Sequence, residues 1–161
     1  QMDYLQEPDV FHDVFGHVPL LMNPVFADYL QAYGRGGLKA LGLGALPLLA
    51  RLYWYSVEFG LIKTEDGLRI YGSGIVSSFS ETRYCLESNT PLRLGFDLRR
   101  IMRTRYRIDN FQETYFVIDN FDQLFDATAP DFSPIYERVA SLPEINPGAA
   151  ISNDTMITLS P

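Results

Sequence analysis

The run EPDVFHDVFGHVPL, residues 7–20, decides the reading of this chain. It holds both histidines of the sequence, His12 and His17. Asp9 is placed to cap a short helix through Phe15, which Gly16 and Pro19 stop. On an ideal α-helix, residues five apart differ by roughly 140° of rotation. The two imidazoles therefore share a face only if the helix distorts or ends between them, and Gly16 permits that. The spacing is not that of HExxH, where two histidines four apart share a face and the Glu between them is a base. Here the residue after His12 is Asp13. A lone histidine is usually structural; a close pair with none elsewhere reads either as a structural pair or as part of a metal-ligand set.

Working outward, the next informative stretch is RLYWYSVEFG, residues 51–60. The spacing predicts a helix over 46–61 that is apolar nearly all round and so buried. Glu58 lies in it among Tyr53, Trp54, Tyr55, Val57 and Phe59. A carboxylate in an apolar wall must be paired, protonated or bound to metal. Pairing with Arg51 or Lys63 is the structural alternative. Two imidazoles and one carboxylate form the facial triad of non-haem Fe(II) oxygen chemistry, which leaves open metal positions. The same ligand types also serve zinc hydrolases, and Asp13 would then be the candidate base.

The remaining elements follow from caps, breakers and periodicity. Asn23-Pro24 starts a helix, with Asn23 as N-cap and Pro24 at the first helical position, running to Tyr33. Gly34 to Gly44 reads as a glycine-rich loop; its GRGG lacks the spacing of a phosphate loop. A hairpin is predicted over 62–71 with Asp66-Gly67 as the turn. GSGIVSSFSE reads as a small-residue loop leading into a helix over 81–86, followed by a helix over 97–105. A strand is predicted over 112–118, then short helices over 122–127 and 134–141. Residues 143–161 read as an extended or loosely attached tail. No repeat or linker divides the chain, so one domain over 1–161 is expected.

Composition narrows the class. A chain of 161 residues with 47% hydrophobic residues can bury a sizeable core. The net charge of -7 disfavours nucleic-acid backbones and anionic membranes as partners. The most apolar stretch, Leu38 to Ile62, is broken by Pro47, Arg51 and Glu58, so no membrane span is expected. Cys85 is the single cysteine, which excludes an internal disulfide and suits a reducing compartment, the cytoplasm. No signal peptide is visible. Cys85 itself reads as a small buried apolar residue.

EPDVFHDVFGHVPL, LYWYSVEFGL, YGSGIVSSFSE and FQETYFVIDNF stand in this order along the chain. Together they resemble the pterin-dependent aromatic amino acid hydroxylases, most of all the bacterial branch that acts on phenylalanine. The similarity covers roughly Tyr4 to Leu142. It implies a mainly α fold with small β elements, that of the hydroxylase catalytic domain, and binding of iron by His12, His17 and Glu58. It implies Asp13, Ala50 and Tyr53 on the pterin side, and Trp54, Phe59, Gly74 and Ser77 around the substrate ring and amino-acid group. Asp9 and Glu81 become supporting acids, and Ile108 falls where apolar side chains accompany phenylalanine preference.

The implied reaction is hydroxylation of L-phenylalanine to L-tyrosine with O₂, Fe(II) and a tetrahydropterin such as tetrahydrobiopterin, the pterin supplying two electrons. Family catalytic domains extend well upstream of the first histidine and there carry most of the pterin loop and an arginine that clamps the substrate carboxylate. Asp9 matches that arginine's partner. The resemblance therefore implies an N-terminally truncated catalytic domain with impaired activity, monomeric in its parent and open to self-association as a fragment. Two other readings remain: the zinc hydrolase above, and a non-catalytic remnant that keeps the fold.

Overall fold

The computed structural model describes residues 10–159. Asp9, the expected cap and supporting acid, lies outside the described residues. Near the start of the described residues lie a π-helical turn, His12–His17, and a 3-10 turn, Val18–Met22. Helix α1 then spans Pro24–Gly42. Its start follows the sequence: the Asn23 side chain accepts from the amides of Val25 and Phe26, and Pro24 needs no partner.

Its end does not follow the sequence. The expected stop at Tyr33 and loop over 34–44 are overturned, because the helix runs on through Gly34, Gly36 and Gly37. Each glycine costs about 1 kcal/mol relative to Ala in a helix. Packing offsets that cost: Tyr29 and Ala40 are fully buried, and Tyr33 donates to the Leu49 carbonyl at 3.1 Å. The chain turns back at Gly44, whose φ of 66° suits glycine.

Helix α2 spans Leu46–Tyr53 and opens into a second π-helical turn, Trp54–Glu58. Strands β1 (Leu61–Thr64) and β2 (Gly67–Ile70) form the expected hairpin around Asp66-Gly67. The run expected as a loop contains a short helix, α3 (Ser73–Val76), before α4 (Phe79–Glu87). Strand β3 (Leu92–Gly95) precedes α5 (Leu98–Arg103) and β4 (Thr114–Ile118); α6 (Phe121–Thr128) and α7 (Ser133–Ala140) follow.

The sheet order is β2-β1-β4-β3, with β1 and β3 both parallel to β4. All five residues of β4 are buried. Tyr115 and Val117 face one cluster with Phe59, Leu61, Ile75 and Cys85. Phe116 packs with Leu49, Leu52 and Tyr55, and Ile118 with Phe26 and Leu124. A parallel strand covered on both faces reads as an unbroken apolar run, and TYFVI is one. Burial pushes the Cys85 thiol up to about 12, so it stays a neutral core group.

The segment after Pro143 lies along the sheet and α5. Ile145 bridges Thr104, Met156 bridges Leu94, and the Gly95 amide donates to the Thr155 carbonyl at 2.8 Å. Asp154 accepts from Arg100 at 2.7 Å, and both side chains are almost fully buried. Among the described residues, no helix is long and apolar enough to cross a membrane.

Candidate metal centre

The helical-wheel objection to His12 and His17 disappears in the structure, because the segment between them is a π-turn. Wider i→i+5 winding brings residues five apart onto one side, and such turns recur at functional sites. The Nε2 atoms of the two rings stand 2.9 Å apart. Glu58 comes from the other π-turn, where the Phe59 amide donates to the Trp54 carbonyl, five residues back, at 2.8 Å. Its carboxylate oxygens lie 3.6 Å from His12 Nε2 and 3.3 Å from His17 Nε2. One donor atom from each of the three residues lies within 4.8 Å of the others.

Close helix contact permits this convergence. A Cβ on Gly16 would stand 2.6 Å from Ser73 Cβ, so only glycine lets the first π-turn rest on α3. A Cβ on Gly72 would meet the Glu58 carbonyl oxygen at 2.4 Å, which holds the second π-turn against the same segment.

Hydrogen bonding sets the tautomer of His12. Ser77 Oγ donates its one proton to the Ser73 carbonyl at 2.8 Å, and so accepts from His12 Nδ1 at 2.8 Å. A neutral His12 with its proton on Nδ1 presents a bare Nε2 lone pair toward His17 and Glu58. Ser73 Oγ lies 3.1 Å from Glu58 Oε2 and 3.2 Å from His17 Nε2. Burial pushes the Glu58 carboxyl up, but the His17 hydrogen bond and the two imidazoles hold it below the usual carboxylate range. The Glu58 hydrogen bond raises His17 against burial, with Asp13 adding to the effect. Both directions favour the charged pair of imidazolium and carboxylate.

The donor chemistry fits a divalent metal. Cis ligands at about 2.1 Å on an octahedron would be about 3 Å apart, close to the observed Nε2 separation. A cation would take the place of the His17 proton, as metal binding ordinarily releases one.

Of the other expected residues, Gly74 packs closely on the Glu58 backbone. Burial and the nearby Glu58 charge push the Tyr53 hydroxyl up to about 12. Asp13 is exposed on the first π-turn. Ala50 precedes Tyr53 and Trp54 by one helical turn, so the three share a side of the helix. Trp54 and Phe59 lie with ring centres 4.6 Å apart, and a Cβ on Gly74 would stand 2.9 Å from Phe59 Cζ. Ile108 is exposed.

Glu81 is fully buried and does not reach Trp54 directly. Its Oε1 accepts from the Gln112 amide at 3.0 Å and the Tyr115 hydroxyl at 2.8 Å, and burial raises its carboxyl. Gln112 Oε1 in turn accepts from Trp54 Nε1 at 2.9 Å. Sequence reasoning missed Gln112, Tyr106, which stacks on Trp54 at 4.4 Å, and Ser73. For Ser73 there was a signal, since it stands one helical turn before Ser77. For the other two there was none.

A mainly helical domain with this triad on paired π-turns matches one family over residues 1–138, the biopterin-dependent aromatic amino acid hydroxylases, and the chain belongs to it. It is 69% identical over 157 residues to phenylalanine-4-hydroxylase of Ralstonia nicotianae, covering 98% of this chain and 50% of that protein. Against the Chromobacterium violaceum enzyme of the same name the identity is 68%, over 98% of this chain and 53% of the relative. The bovine phenylalanine-4-hydroxylase is 39% identical, over 86% and 33%. The Chromobacterium violaceum enzyme, in a crystal structure bound to cobalt, superposes with a TM-score of 0.94 at 68% identity, over 96% of this chain and 56% of that one. The chain thus spans about half the length of the curated relatives it matches. The expected fold, mainly α with small β elements and corresponding to part of the hydroxylase catalytic domain, agrees with this likeness. The zinc-hydrolase reading is not favoured.

Proposed function

We propose that the protein to which this chain belongs hydroxylates L-phenylalanine to L-tyrosine with O₂, using Fe(II) and a tetrahydropterin. The observation that carries the reading is the convergence of His12, His17 and Glu58, with His12 locked in its Nδ1–H form by Ser77. The likeness to phenylalanine-4-hydroxylases, one of them crystallised with cobalt, supports it.

When bound, iron and reduced pterin supply the activation of O₂ that amino-acid side chains lack. The residues supply the setting. His12, His17 and Glu58 hold the metal and leave positions open. Ser77 fixes the orientation of His12 from outside through its Nδ1, as such partners do at metal sites. Trp54 and Phe59 form an apolar wall for a flat ring, with Gly74 keeping Phe59 in place. Asp13, Ala50 and Tyr53 stand on the side proposed for the pterin, and Glu81 supports the Trp54 wall through Gln112. A monomeric protein of the cytoplasm completes the reading.

The test uses the complete protein with Fe(II), a tetrahydropterin, O₂ and phenylalanine. Tyrosine should form, and Trp54→Ala should weaken phenylalanine use much more than iron binding. Absence of tyrosine from iron-loaded protein would remove the proposal.

A further inference from the structure

The parallel strands β1, β4 and β3 end beside one another, and a cleft of about 420 Å³ opens outside their carboxyl ends. Lys63, Gly95, Phe96 and Asp119 form its floor. Crevices in this position are the usual ligand sites of open sheets with parallel strands, and the volume is that of a small-molecule pocket. None of its lining residues belongs to the metal centre.

The charge of the cleft opposes that of the chain. The chain carries -7, yet its lining cations outnumber its lining carboxylates. Five of the chain's cations make no ion pair among the described residues: Arg35, Arg93, Arg99, Arg103 and Arg138. Arg93 is satisfied by backbone carbonyls. Three of the other four line this cleft: Arg99, Arg138 and Arg103, the last with its Nε donating to the Pro143 carbonyl at 3.0 Å. Its acids are engaged: Asp119 by Lys63, Asp154 by Arg100, and Asp97 by the Arg100 amide it caps.

Solvated surface arginines would explain one such residue. Here the three reach one concavity from two helices, α5 and the end of α7. Arg99 and Arg103 are also four apart on α5, and like charges at that spacing disfavour a helix. An anion between them relieves the repulsion. Guanidinium forks match the oxygens of phosphate and carboxylate groups.

We infer that this cleft binds a compact multivalent oxyanion of the phosphate type, held by Arg99, Arg103 and Arg138. The inference is independent of the hydroxylase reading.

Calorimetry on the complete protein tests it with pyrophosphate, inorganic phosphate and ADP as probes, at ionic strength matched with sodium chloride. Pyrophosphate should bind saturably at one site. Arg138→Gln and Arg99→Gln should each weaken it roughly tenfold or more, while Arg35→Gln, outside the cleft, should leave it unchanged. Tighter binding of ADP than of pyrophosphate would make the ligand nucleotide-like; equal binding would make the phosphates sufficient, and either supports the inference. No saturable binding up to about 10 mM, or equal loss in Arg35→Gln, overturns it. If an acidic polypeptide segment occupies the cleft instead, Arg138→Glu lowers the melting temperature while pyrophosphate fails to bind, and the inference also falls.

Discussion

His12 Nε2 and His17 Nε2 stand 2.9 Å apart across a single π-helical turn. Two imidazole lone pairs at that distance repel unless a proton or a metal lies between them. The Nδ1 of His12 is committed to Ser77, so its Nε2 is the atom that faces His17 and Glu58. The arrangement is one that could hold a cation, and its supporting hydrogen bonds are measurable.

Ser77→Ala should release His12 from its Nδ1–H form. Partners that orient metal-bound histidines are worth roughly 10–100-fold in metal affinity, so iron binding should weaken by that order while the fold persists. Iron titration with a thermal melt checks both. Wild-type affinity in this variant would show that Ser77 does not govern His12.

Gly16→Ala should be felt in both stability and metal binding. Its methyl would press on Ser73 Cβ, and the π-turn would have to lift from α3. Overpacking of this kind costs roughly 1–3 kcal/mol. Urea unfolding of wild type and variant gives the difference; an unchanged midpoint would mean the contact is looser than described.

These two positions also show what the sequence made legible. The His pair, Glu58 in its aromatic run, the Asn23-Pro24 helix start and the Asp66-Gly67 hairpin are written in local chemistry, and all could be placed. The continuation of α1 through three glycines could not, because Tyr29 and Ala40 are buried by distant parts of the chain. Strand β3 was missed because LRLG alternates too briefly to register. Gln112 carries no local signal of its role, since its partner Trp54 lies 58 residues away. The π-turn itself was reduced to a condition: the helix must distort or end near Gly16.

Gln112→Met should loosen Trp54. The indole N–H would lose its acceptor, at roughly 0.5–1.5 kcal/mol. Trp54 is the only tryptophan of this chain, so the fluorescence of the chain reports the change directly. Emission should shift to the red, and the KM for phenylalanine of the complete protein should rise several-fold with iron content unchanged. Identical emission and KM would leave Gln112 with no part in holding the ring wall.

Asp154→Ala should detach residues 151–157 from α5 and β3. Breaking a buried ion pair by removing one partner costs about 3–5 kcal/mol. Burial pushes the Asp154 carboxyl up, but the Arg100 hydrogen bond and the Ile151 amide hold it below its usual range. A carboxyl lowered on folding stabilises above its unfolded value and loses that contribution as pH falls through the folded value. The gap between wild type and variant should therefore be full at neutral pH and shrink below about pH 4. Denaturant melts across that range check it; a gap that grows in acid would contradict the pairing.

The most direct measurement is metal content. Purified complete protein loaded with Fe(II) should carry about one iron per chain, and His17→Ala and Glu58→Gln should each lose it while keeping the far-ultraviolet circular dichroism of the wild type. Folded variants that retain stoichiometric iron would contradict the assignment of His12, His17 and Glu58 as the metal centre.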